Sequence, residues 1–187
     1  MEESPQTAEL PLVATSVIGA LLVAIIIAIV ILARRSRALK KKIGYPKGQR
    51  VRLLALLFLE PPAELLIIFA LLWAELTTDF VHVAVALLAI LPGILLGRYR
   101  ANGSFVEALP KHRAVVTAHT RGELLGFLAI VAIKVLEGNA EKVVFSYWLT
   151  LVLTAGLVVI LSESAARVFA LYKKYEDAIP EKSANSQ

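Results

Sequence analysis

The sequence predicts an all-α integral membrane protein with five transmembrane helices, its N-terminus outside and its C-terminus inside, plus a small cytoplasmic β-hairpin. Four observations carry that prediction. The 187-residue chain is 58% apolar, with a mean hydropathy of +0.72. Its apolar residues fall into runs of about 20, the length that spans ~30 Å of hydrocarbon. Basic residues fall almost wholly into segments that alternate with those runs, as cytoplasmic loops do. Finally, the longest polar segment carries β-branched residues around a proline, a hairpin pattern.

Residues 1–11 hold Glu2, Glu3 and Glu9 with two prolines and read as a flexible extracytoplasmic tail. A single five-span domain over 12–175 follows, and 176–187 form a flexible cytoplasmic tail. The first span is 12–33. Acids precede it and Arg34-Arg35-Ser36-Arg37 follows it, the reverse of a cleaved leader, so it is read as a retained span. Ser16, Ala20, Ala24 and Ala28 recur every four residues, a stripe against which another helix can pack closely. An ordinary alanine content in an apolar helix explains the same spacing.

Residues 34–52 are a basic linker with nine Lys or Arg and no acid, punctuated by Gly44, Pro46 and Gly48. Such density could serve nucleic acid. Beside a span it is read instead as a topogenic signal that meets anionic lipid headgroups, and no nucleic-acid partner is expected.

The second span, 51–76, contains Glu60-Pro61-Pro62-Ala63-Glu64. Two carboxylates four residues apart share a helix face. Two prolines remove two amide donors, so a helix break, either a kink or a restart, is expected at Pro61 and Pro62. Ionisable groups within a span are candidates for function, which makes Glu60 and Glu64 a candidate proton or cation site. Glu60 is equally well read as a carboxylate that starts a new helix ahead of Pro61.

The third span, 80–97, follows a tight outer turn at Thr77-Thr78-Asp79 and has His82 near its outer end. Ala89, Gly93 and Gly97 share one face and are read as helix-packing residues. Between Arg98 and Arg121, the stretches 105–109 and 113–120 flank Pro110-Lys111-His112 and suit a hairpin; an extension of the next helix is the competing reading. The fourth span, 120–137, carries Glu123 and Lys134 near its ends, where both can snorkel to the interfaces. The fifth, 143–161, has Ser146, Thr150 and Thr154 along one face. Its helix is expected to continue to about Tyr175, with Glu163 and Arg167 as an i, i+4 pair beyond the membrane. With five spans, eighteen basic residues fall on one side and only Lys134 and Lys142 on the other, which sets the N-out, C-in orientation.

The proline-bearing second span, the Gly97-Arg98-Tyr99-Arg100 exit from the third, the hairpin-like loop and the last span running into Arg167, Ala170, Tyr172 and Lys173 are similar to the CcdC-like family of small polytopic membrane proteins of unknown function. The resemblance covers about residues 50–175 and rests on the order of elements. It implies the polytopic fold and, through the family's name, an association with cytochrome c maturation. It supplies no catalytic residues, and the Glu60/Glu64 pair is not carried over from it.

The chain has no cysteine, which excludes disulfides, thiolate metal sites and thiol electron transfer. No hydrolase, P-loop or dinucleotide-binding motif occurs. His82, His112 and His119 are scattered without ligand spacing, so no metal, haem or other cofactor is expected and an enzyme is not expected. Two functional classes remain. The first is a non-enzymatic accessory or assembly component of the cell membrane that works through helix–helix contacts with a membrane-protein partner or a second copy. The alternative is a proton- or cation-coupled transport component that uses Glu60 and Glu64.

Overall fold

The computed structural model describes residues 12–46, 48–118, 131–132 and 147–184. Helix α1 spans Leu12–Ile43. Strand β1, Gln49–Leu53, leads directly into helix α2, Leu54–Thr78. Helix α3, Phe80–Ser104, passes into strand β2, Phe105–Leu109. A 3-10 turn at Pro110–His112 joins it to strand β3, Ala114–Ala118, and helix α4 covers Tyr147–Ala184. The molecule is mostly helical, and four helices among the described residues are long and apolar enough to cross a membrane. Of the expected fourth span, 120–137, only residues 131–132 are described; Glu123, Lys134, His119 and the start of the expected fifth span lie outside the described residues.

α1 extends ten residues past the expected end of the first span, through the basic run. Arg, Lys, Ala and Leu are good helix formers, and Lys40, Lys41 and Lys42 in the last turn complement the negative end of the helix dipole. Gly44 ends it. At φ +80 its amide donates to the Lys40 carbonyl at 3.0 Å, a left-handed cap that favours glycine.

The hairpin reading of 98–121 holds, and the structure adds a third strand to it. The sheet order is β1-β3-β2, with both neighbours antiparallel to β3. Arg113 takes the left-handed conformation (φ 46) that closes the turn, and its amide donates to the Pro110 carbonyl at 3.1 Å. A bulge between Phe105 and Glu107 lets β2 leave α3 without losing register further along. Central strand β3 is buried from Ala114 to Thr117.

β1 revises the expected second span. Val51–Leu53, read from sequence as the start of an apolar helix, are strand, and the helix begins at Leu54, whose amide donates to the Arg113 carbonyl at 2.9 Å. The expected helix break is revised with it. α2 runs unbroken through Pro61 and Pro62, so Glu60 sits inside it and starts no new helix. Proline's fixed φ is helical; what the pair removes is two donors, those that would reach the Leu57 and Phe58 carbonyls.

α3 packs closely against α4, and the two run parallel. His82 lies near Thr150 and Tyr147 at one end, and Phe105 lies under Lys174 at the other. α2 runs antiparallel to both. Where the helices meet the sheet, Leu57, Ala101, Ala108, Val115, Val168 and Leu171 form one core. A second core, Ile68, Leu72 and Leu157, lies further from the sheet.

Candidate functional site

The carboxylates of α2 face different partners. One turn and a half into the helix, Glu60 receives the Arg52 guanidinium at 2.9 and 3.2 Å on its two oxygens. β1 places that arginine: Arg52 pairs with Val115 of the central strand, which holds it beside the base of α2. The two side chains are 19% and 24% exposed, so the pair is neither solvated nor sealed.

Glu64 lies one turn further along, facing α4. Ser164 stands beside its carboxyl, and Glu163 and Arg167 are within electrostatic range. Oε2 of Glu64 is shut off from solvent, and so is the Ser164 hydroxyl beside it. Glu163 itself is buried and sits between Arg167 at 3.9 Å and Arg100 of α3 at 3.6 Å. Three carboxylates and three arginines therefore gather where α2, α3 and α4 converge beneath the sheet. The structure brings Glu60 and Glu64 into one neighbourhood with Glu163, Arg167, Arg100 and Arg52. The last four were not among the sequence's site candidates. Glu163 and Arg167 were visible as an i, i+4 pair but were read as lying beyond the membrane.

Ala89, Gly93 and Gly97 form the face that α3 turns to α4, and all three are buried. A Cβ on Gly93 would meet the Ser162 side chain and come within 2.6 Å of the Val159 carbonyl oxygen. One on Gly97 would run into the Glu163 carbonyl oxygen and the Ala166 Cβ, the latter at 2.9 Å. The seam therefore needs glycine at positions 93 and 97, and it draws Glu163 and Arg167 up to Arg100.

At the opposite end of the helices a separate cluster joins the α2–α3 turn to the start of α4. Asp79 caps α3 by accepting from the Val81 amide at 2.9 Å. Its Oδ2 also accepts from the Tyr147 hydroxyl at 2.7 Å and lies 2.8 Å from Nδ1 of the buried His82. Nε2 of His82 is 3.3 Å from the Thr150 hydroxyl, which donates to the Tyr147 carbonyl. The Tyr147 hydroxyl, then the Val81 amide and the His82 ring, hold the Asp79 carboxyl below its ordinary range. His112 lies apart in the hairpin turn. No three His, Cys, Asp or Glu side chains converge as a metal site among the described residues.

No family model matches the chain, and neither does any curated protein or solved structure.

Proposed function

We propose that the chain is an integral membrane protein of the cell membrane that acts as a non-enzymatic assembly component, with α1 as the element that docks a partner. The observation that carries this reading is where the small-residue stripe points. Half-buried positions recur along α1 at Ile18, Leu22, Ile25, Ala28, Ile29, Leu32 and Ala33, leading to the buried Ser36. That is the periodicity of a helix resting on its neighbours. Of the small-residue stripe, Ser16, Ala20 and Ala24 are exposed, while Ala28 is half-buried with the packed face. A lipid-facing surface has no need of small residues, whereas a helix–helix contact does. The test is cysteine crosslinking in native membranes from positions 20 and 24. A band crosslinked from a cysteine at position 20 and lost when Ala24 is replaced by Leu, with the reciprocal result from position 24 when Ala20 is replaced, supports docking; an uncrosslinked monomer from both positions sinks it.

The topology belongs to the same proposal. α3 and α4 run parallel, so the chain between Ala118 and Tyr147 returns from the sheet end to the far end. If both helices cross the bilayer, that return is a fifth crossing, and the split of basic residues puts the sheet inside. The CcdC-like affiliation fits this arrangement and adds no site residue.

A second reading, proton or cation binding at Glu64, is favoured by its solvent-shielded Oε2 beside Ser164. From Leu65 to Ala74, α2 carries no charge, and Ile68, Leu72 and Leu157 close over that level. The carboxyl would therefore exchange from the sheet side. Proteoliposomes loaded with a pH-sensitive dye test it. Flux abolished by Glu64→Gln supports coupling, and the same flux in wild type and variant removes it.

A further inference from the structure

Ile90, Ile94 and Arg98 each follow by one residue the Ala89, Gly93 and Gly97 seam, so they lie about 100° further round α3. Across from them on α4 stand Ser162, Ala165, Ala166 and Phe169. Together they line a groove of about 370 Å³ between the two helices. The seam explains the groove. Backbones drawn together by glycines leave short side chains on the floor, Ala165 and Ala166, between taller walls, Ile94 and Phe169. Ser162 is already satisfied, donating to the Val158 carbonyl at 2.7 Å. The floor and walls therefore offer a ligand only apolar contact.

Arg98 closes one end. It is exposed, and among the described residues no carboxylate pairs with it, unlike Arg52 with Glu60 and Arg100 with Glu163. It sits less than two turns from the end of α3, on the side of the sheet, with the exposed Tyr99 beside it. Aromatic and basic residues at such a level mark the boundary between acyl chains and headgroups. A groove with hydrocarbon walls and, at headgroup depth, a guanidinium that no described carboxylate pairs with has the polarity of an anionic phospholipid, an apolar tail with a phosphate at one end. Guanidinium groups suit phosphate through paired N–H donors.

We propose that this groove is a binding site for a single anionic phospholipid, with one acyl chain along Ile90, Ile94, Ala165 and Phe169 and the phosphate on Arg98. The site is distinct from the basic segment 34–52, whose charges can attract many headgroups without a groove to hold a chain. The proposal rests on the membrane placement given above.

The test uses the full chain in nanodiscs of mixed phosphatidylglycerol and phosphatidylcholine, with native mass spectrometry reading the lipid retained. Wild type is expected to keep one phosphatidylglycerol per chain in preference to phosphatidylcholine by about fivefold, the factor one basic residue near an anionic surface supplies. Arg98→Gln is expected to lose the preference, and Arg98→Lys to keep part of it. Ala165→Trp, at an exposed position that leaves the seam intact, is expected to lose the retained lipid of either kind. Circular dichroism of each variant separates loss of the site from loss of the fold. Preference that survives Arg98→Gln but disappears when Arg35, Lys41 and Lys42 are neutralised overturns the proposal and assigns the lipid to 34–52. Retention unchanged in Ala165→Trp overturns it as well. A chain that does not float with vesicles at all defeats the membrane placement rather than the groove alone.

Discussion

Arg52 and Glu60 show how an isolated side chain is read differently once its partner is placed. Glu60 was legible as an unusual carboxylate in an apolar run, but its counter-charge was hidden, because Arg52 counted as part of a basic linker. The signal was there. Arg50-Val51-Arg52-Leu53 alternates polar and apolar residues, as a half-buried strand does. The apolar run after Val51 masked it. The pair is intermediate in exposure, so its coupling should fall between that of a surface bridge and that of a buried one. A double-mutant cycle with Arg52→Met and Glu60→Gln is expected to give about 1 kcal/mol by thermal unfolding in detergent. Additive single effects would show that the two groups do not interact. At the other end, Asp79 allows a pH prediction. Its folded pKa is depressed by Tyr147, Val81 and His82. The stability it contributes is therefore present above the unfolded value, about 3.9, and is lost as pH falls through the folded one. The Tm gap between wild type and Asp79→Asn should hold from neutral pH to about 5 and close below about 4. A gap that persists in acid would mean that the cap acts without its charge.

At the scale of elements, long periodic runs were legible and short ones were not. α1, α2, α3 and α4 each announce themselves by length and apolarity. The β2–β3 hairpin announces itself through Pro110 and the β-branched Val115-Val116-Thr117. β1 has no turn to advertise it, and its partner strand lies beyond two whole helices in sequence. The sheet can be tested with the cysteine-free chain. Spin labels at Gln49 and Ala118, which are partners in the register, should sit close together, with Cα atoms about 5 Å apart. A broad, long distance distribution would remove β1 from the sheet. The α3–α4 seam offers a second test. The face was readable from the spacing of Ala89, Gly93 and Gly97, but what it faces was not. Gly97→Ala sets a methyl group against the Glu163 carbonyl oxygen, and overpacking of this kind costs about 1–3 kcal/mol. Ala substituted at Gly103, where a Cβ meets nothing within 4 Å, should be nearly silent by the same assay.

For the whole molecule, orientation is the claim that charge distribution makes most directly. A cysteine at Lys41 or Lys111 should resist an impermeant maleimide applied to intact cells, and one at Thr78 should react. Labelling at Lys111 from outside would invert the proposed topology. That topology also bears on how the chain is made. β1 leaves the ribosome about 60 residues before β3, and at about 5–20 residues per second the delay is ~3–12 s. In the proposed topology, α2 and α3 would be threaded into the bilayer during that interval while β1 waits at its surface with an open edge. Arg50 and Arg52, on alternate positions of the waiting strand, keep that edge charged. Charge is a usual deterrent to the wrong strand joining. The sheet can close only after the helical hairpin is home, and its closure then fixes the base of α2.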